Sequence, residues 1–265
     1  MLFPESERVL YQKNPLSEVI CQVQFPAILK ITSEENIAVF QEIIRADYPF
    51  YVPKQPELES SLTLPIELKT VMEQFFPKVP GSIVYQFSDK TKTRTIVLSK
   101  DFLALTFRAY SRWEAFLAEF NKAEKALRDV FKPSVYTRLG LRYKDMITRT
   151  KLGLGSTSWS ELIQGPILGL LGDRNVEPYI DKSVNKVTIK IPDIPGATIQ
   201  LTSGTANVLE GGEQVFYIDA DFSIKDLEEF NAVGNYLSQF NTIAGRLFRA
   251  SIRPKLHSAM EPTSI

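Results

Sequence analysis

The sequence predicts an α+β fold: a mainly antiparallel sheet with long amphipathic helices packed on one face. Three observations carry that expectation. Runs with period-two alternation recur along the chain, joined by links of a few residues, which favours antiparallel neighbours. Three of them lead into helical periodicity, at 18–46, 98–131 and 214–252. The strands also alternate apolar with polar residues, the pattern of a sheet covered on one face.

The first strand lies in "NPLSEVICQVQFPAILKI" (14–31), where Val19, Cys21, Val23 and Phe25 alternate with Glu18, Ile20, Gln22 and Gln24. Pro26 ends its ladder. After "TSEEN", Ser33 suits a helix cap, and Ile37, Phe40, Ile43 and Ile44 recur at helical spacing. Residues 49–80 are proline-rich without a sustained period and read as an irregular excursion with room for one short strand. "SIVYQFSD", "RTIVLSKD" and "FLALTFRAY" then form a meander, with turns at "SDKTKT" and Lys100-Asp101.

From Ser111 the period changes, and Trp113, Phe116, Leu117, Phe120, Leu127, Val130 and Phe131 share one helical face until Pro133. "VYTRLGLRYKDMIT" (135–148) is again a strand, with Leu139, Leu141 and Tyr143 opposite Arg138, Gly140, Arg142 and Lys144. A glycine-rich connection leads to a short helix that Ser158 and Glu161 could open. "KVTIKI", "TIQLTSG" and "QVFYIDADFS" read as strands, with turns at "PDIPGA" and "LEGGE". The longest helix is expected at about 227–252, roughly 39 Å at 1.5 Å per residue. Residues 1–253 read as one domain and 254–265 as a polar tail.

Composition narrows the function. Hydrophobic residues make up 44% of the chain, ample for one core. Lysine plus arginine and aspartate plus glutamate each number 31, so no field of one sign draws the chain to nucleic acid or an anionic membrane. The single cysteine, Cys21, excludes an intrachain disulfide and suits a buried thiol in a reducing compartment. The N-terminus lacks a signal-peptide pattern, and glycine and proline break the apolar run "LIQGPILGLLG". A cytoplasmic location is the expectation.

The candidate site is a polar face built from Glu18, Gln22, Gln24, Arg138, Arg142, Asp219 and Asp221. If their strands are neighbours, carboxylates meet guanidiniums there in bidentate pairs or an anion-reading groove. The bland alternative is the exposed side of a half-covered sheet. Asp219 and Asp221 point the same way from one strand and, with Glu18 as a third oxygen ligand, could hold Mg²⁺ or Mn²⁺ for hydrolase or nuclease-like chemistry. Arg pairing is the structural explanation of the same acids.

Other motifs point elsewhere. His257, the only histidine, and Cys21 are poorly placed for a nucleophilic engine. "GLGSTS" lacks the Gly-Lys-Ser/Thr ending of a phosphate loop. Arg246, Arg249 and Arg253 form a basic ridge that could meet phosphates, yet cations at a helix C-terminus are also what the dipole favours.

Several segments in order, "NPLSEVICQVQF", "VYQFSDKTKTRTIVLSKDFLALTFRAYSRWEAF", "RLGLRYKDMI", "FYIDADFS" and "GRLFRASI", carry a family likeness. The chain resembles a sporadically distributed bacterial family of uncharacterised proteins with an N-terminal Asn-Pro-x-x-Glu-Val stretch and a central Arg-x-Gly-Leu-Arg-Tyr motif. The matching positions are Asn14, Pro15, Glu18, Val19, Tyr110, Trp113, Arg138, Gly140, Leu141, Arg142, Tyr143, Asp219 and Asp221. Lys144-Asp145 departs from the family pattern, which more often has an apolar residue and asparagine there. The resemblance implies no activity; the family's patchy distribution implies accessory or mobile cargo such as defence.

The combined expectation is a non-catalytic binding or interaction module without a cofactor or bound metal. It would contact a protein partner or a small anionic ligand, with no nucleic acid or membrane. The terminal helix and the strand edges allow a homodimer.

Overall fold

The structure, a computed structural model, describes residues 2–54, 83–207, 213–227 and 229–264. Most of the proline-rich 49–80 stretch and most of "LEGGE" lie outside the described residues. Strand β1 (Val9–Tyr11) is followed by β2 (Leu16–Gln24), helix α1 (Glu34–Ile44) and β3 (Phe50–Lys54). Next come β4 (Val84–Ser88), β5 (Arg94–Ser99), β6 (Phe102–Phe107), helix α2 (Trp113–Phe131) and β7 (Tyr136–Ile147). One-turn helices α3 (Trp159–Leu162) and α4 (Gly165–Leu168) precede β8 (Val184–Lys190), β9 (Thr198–Asn207) and β10 (Gln214–Leu227). Helices α5 (Val233–Ser251) and α6 (Pro254–Ala259) lead to β11 (Pro262–Ser264).

The fold is α+β. Among the described residues, nine strands form one antiparallel sheet in the order β3-β4-β5-β6-β2-β7-β10-β9-β8. The meander of β4 to β6 forms through short turns, one of which uses Lys92 at φ 59, and β3 pairs with β4 at the sheet edge. Strand β2 enters between β6 and β7, so the first long strand of the chain lies in the middle of the sheet. Register aligns Val19, Cys21 and Val23 with Tyr143, Leu141 and Leu139, and these in turn with Ala220, Phe222 and Ile224. Direct partners share a sheet face, so this is the apolar side of three adjacent strands.

The long helices each bury one stripe. Helix α1 contributes Ile37, Phe40 and Ile44, α2 contributes Trp113, Phe116, Phe120 and Leu127, and α5 contributes Val233, Leu237, Phe240 and Leu247. Helix α1 packs on α2, α2 contacts β6, and α5 contacts β7. Helix α1 does begin after Ser33, though the serine hydroxyl makes no capping bond there. Helix α2 ends where Lys132 turns into the left-handed region at φ 50 ahead of Pro133, which cannot continue the ladder.

Two boundaries differ from the sequence expectation. The helix expected at about 227–252 begins only at Val233, and α5 and α2 have the same length, 19 residues each. Strand β10 takes the earlier residues, because Leu227 pairs with Tyr136 after Asp226 adopts φ 55. Edge-on pairing with β7 therefore prevails over a helical period that Leu227 and Phe230 merely continue. Residues 254–265 are not a loose polar tail either. Helix α6 buries Leu256, Met260 is also buried, and β11 pairs with β1. The period is too short to be seen there: six helical residues and a three-residue strand.

Candidate functional site

The polar sides of β2, β7 and β10 meet on adjacent strands, opposite the apolar residues just described. Glu18, Ile20, Gln22 and Gln24 align with Lys144, Arg142, Gly140 and Arg138, and Lys144, Arg142 and Gly140 align with Asp219, Asp221 and Ser223. The seven residues singled out from sequence thus share one face. Their side chains interlock. Arg142 donates to both oxygens of Asp219, with Nε 2.7 Å from Oδ1. Arg138 Nη2 lies 2.9 and 2.8 Å from the two oxygens of Asp221. Glu18 takes Lys144 at 3.1 Å and Arg108 at 3.0 Å. Gln22 Oε1 accepts from Gln24 at 3.1 Å and from Arg138 at 3.4 Å.

Gly140 explains how Arg138 crosses to Asp221. A Cβ at position 140 would stand 2.3 Å from Nη1 of Arg138, so the guanidinium lies in the space that a side chain would fill. Arg138, Gly140 and Arg142 are spaced by two because all three belong to one face of one strand. The Asn-Pro-x-x-Glu stretch has a similar local cause. Asn14 Oδ1 accepts from the Leu16 amide at 3.0 Å, and the register shifts between Leu16 and Glu18, where Ser17 Oγ donates to the Lys144 carbonyl at 2.9 Å. This bulge turns Glu18 onto the charged side.

The network is deeply set. Arg142 is 0% exposed and Asp219 3%, so this pair is a buried layer of the sheet rather than a wet surface. Burial alone would lower the Arg142 guanidinium, and Asp219 more than restores it, leaving it above its ordinary range. Burial would likewise raise Glu18, but Lys144 and Arg108 outweigh it and hold the carboxyl below its usual range. At Asp221 burial prevails over Arg138 and Arg142 and pushes the carboxyl up to about 6.

The remaining candidates separate. Among the described residues, no group of three or more His, Cys, Asp or Glu is arranged to hold a metal ion. Asp219, Asp221 and Glu18 each already hold a basic side chain. Cys21 is buried, and burial pushes its thiol well up, away from the nucleophilic thiolate. His257 receives or donates the Tyr11 hydroxyl contact at 2.8 Å through Nδ1. Along the basic ridge, Arg246 reaches Glu5 at 3.4 Å, Arg253 Nε donates to the Ile163 carbonyl at 3.1 Å, and Lys255 holds Glu161 at 3.1 Å. Trp113, Phe116 and Phe120 are core residues.

One feature on the opposite side of the sheet was not among the candidates drawn from the sequence. A cavity of about 550 Å³ lies between the N-terminal segment, β7, the start of α2 and the last turns of α5, lined among others by Tyr11, Tyr110, Tyr143, Asp145 and Arg249. Asp145 pairs in register with Ile218 and Leu16, which puts it on the apolar side where a carboxylate breaks the alternation. That break was the available signal: position 145 is the apolar phase of "LGLRYKD".

Fold and site together define an antiparallel α+β protein with a charged layer buried in the middle of its sheet. No family model matches the chain, and no curated protein matches it either. No helix among the described residues is long and apolar enough to cross a membrane.

Proposed function

We propose that the chain is a non-catalytic binding module whose polar sheet face, around Glu18, Gln22, Gln24, Arg138, Arg142, Asp219 and Asp221, presents a rigid charged surface to a protein partner or a small anion. The observation that carries this is the convergence of three separate polar stripes onto neighbouring strands in one hydrogen-bonded set. Pre-ordered pairs hold their geometry before a partner arrives, which lowers the ordering cost of binding. Arg142 and Asp219 form the floor, and the more exposed Arg108 and the half-buried Gln24 and Arg138 form the rim.

This proposal includes the placement of the long helices on the other sheet face. Ring contacts Phe107–Phe116, Phe222–Phe240 and Phe40–Phe87, which join the apolar strand positions to α2, α5 and α1, support that placement. A cytoplasmic setting and an accessory, defence-related role in a bacterium belong to the same proposal and rest on the single cysteine and the family resemblance. The metal-dependent hydrolase reading with Asp219, Asp221 and Glu18 has no observation in its favour, because a cation would have to displace an Arg or Lys from each acid.

The test uses rim residues, since truncating Arg142 would compromise folding. Arg108→Gln and Arg138→Gln should weaken capture of the protein's partner in pull-downs, or abolish the melting shift produced by phosphate or citrate, with the far-UV spectrum unchanged. Unchanged capture and unchanged shifts in the folded double variant would remove this face as the site.

A further inference from the structure

The cavity lies on the other side of the sheet from the charged face and is lined by different residues. Its most buried charged residue is Asp145, 8% exposed, whose carboxyl makes no hydrogen bond or ion pair with any described residue. A buried acid is normally paired or hydrogen-bonded. Its surroundings are aromatic: Tyr11, Tyr110, Trp113 and Tyr143 all line the same space, with Tyr110 and Tyr143 edge-on at 6.3 Å and the Tyr143 hydroxyl fixed on Asn241 Oδ1 at 2.8 Å. Arg249 lines the space from α5 and makes no ion pair or hydrogen bond with a described residue. Both Asp145 and Arg249 act electrostatically on the Tyr11 hydroxyl, so the tyrosine stands within reach of both charges.

A buried unpaired carboxyl, the half-buried Arg249 guanidinium and aromatic walls in one cavity describe a ligand by complementarity. An ammonium satisfies a buried carboxylate and is also attracted to aromatic faces. A ligand carboxylate or phosphate satisfies the guanidinium. The volume, about 550 Å³, falls within the range of small-molecule sites. We propose that this cavity binds a small zwitterionic amine, its ammonium on the Asp145 carboxylate and its acidic group on Arg249.

Proton linkage distinguishes this from a merely structural aspartate. Burial, with Asp219 behind the strand adding to it, pushes the Asp145 carboxyl up to about 8, so near neutral pH it is protonated without a ligand. The other charged groups around the cavity are Glu7, Arg8, Arg112 and Arg246, of which Arg8 holds Glu114 and Arg246 holds Glu5. An arriving ammonium lowers the carboxyl again, so binding near pH 7 releases a proton from Asp145 to solvent and tightens as pH rises towards 8.

The probes are ω-amino acids from 4-aminobutyrate to 8-aminooctanoate, with alkylamines and alkyl carboxylates of matching length. Calorimetry of the full chain in two buffers of different ionisation enthalpy reads both affinity and proton release. At least one ω-amino acid should bind, with close to one proton released near pH 7, and its length reports the separation of the two charges. The near-isosteric Asp145→Asn should fold, lose the proton release and weaken binding about tenfold or more. Arg249→Gln should weaken binding but keep the proton release. No binding by any ω-amino acid at millimolar concentration near pH 8, or equal binding to Asp145→Asn, would overturn the proposal, whatever becomes of the opposite face.

Discussion

The two sides of strand β7 make the instructive comparison. On one side Arg138, Arg142 and Lys144 are buried or half-buried with carboxylates from both neighbouring strands. On the other, one residue along, Asp145 is equally buried with no partner among the described residues. The same strand thus holds charge in two ways. Where register supplies a counter-charge, burial leaves Arg142 more firmly charged. Where it supplies Ile218 and Leu16, burial drives the carboxyl towards its neutral form. A counter-charge from a neighbouring strand separates Arg142 from Asp145, while at Asp221 burial prevails even beside two guanidiniums.

The largest expected effect breaks the paired side. Arg142→Ala leaves the 3% exposed Asp219 without its guanidinium and should cost about 3–5 kcal/mol in urea unfolding. A loss below about 1 kcal/mol would mean that the layer contributes little.

Asp145→Asn probes the other side through pH. A carboxyl held at about 8 in the folded state, against ~4 unfolded, binds an extra proton in the native protein between those values. Its contribution is fully present below about pH 4 and is lost as pH rises towards 8, at about 1.4 kcal/mol per pH unit. Unfolding measured at several pH values should show the wild type losing stability relative to Asp145→Asn by about that slope. Parallel curves would contradict the neutral carboxyl. Asp221, pushed up to about 6, adds the same sign below that pH in both proteins and so cancels in the comparison.

Gly140→Ala should follow, at about 1–3 kcal/mol, because the new methyl evicts the Arg138 guanidinium from Asp221. Combined with Arg138→Ala it should cost little more than the single change, a non-additivity that a double-mutant cycle reads. Smallest of all is Lys125→Ala, which breaks an exposed i,i+4 pair with Asp129 and should move stability by less than about 0.5 kcal/mol. If it cost as much as Gly140→Ala, burial would not be what separates these ion pairs.

Much of this was legible before any coordinates. Period two placed Arg138 and Arg142 on one face and Leu139 and Leu141 on the other, and the helical stripe of Trp113, Phe116 and Phe120 is the buried one. Less legible was the stretch after Ser223, where Leu227 and Phe230 fit a helical period but Leu227 is held in β10 by Tyr136. The C-terminal segment looked polar because its two anchors, Leu256 and Met260, are too few to make a pattern.

By itself, the sequence determined which residues share a face, because side-chain direction follows from local backbone geometry with a period of two or 3.6. It therefore determined the charged stripes, the core stripes and the α+β class. Only the tertiary structure decided that β2, β7 and β10 are neighbours, so that three stripes become one paired layer, and that Asp145 faces a cavity shared by Tyr11 and Arg249. Those contacts join residues far apart in the chain, 77 positions between Arg142 and Asp219 and 126 between Glu18 and Lys144, where no periodicity reaches and only long-range register and packing choose the partner.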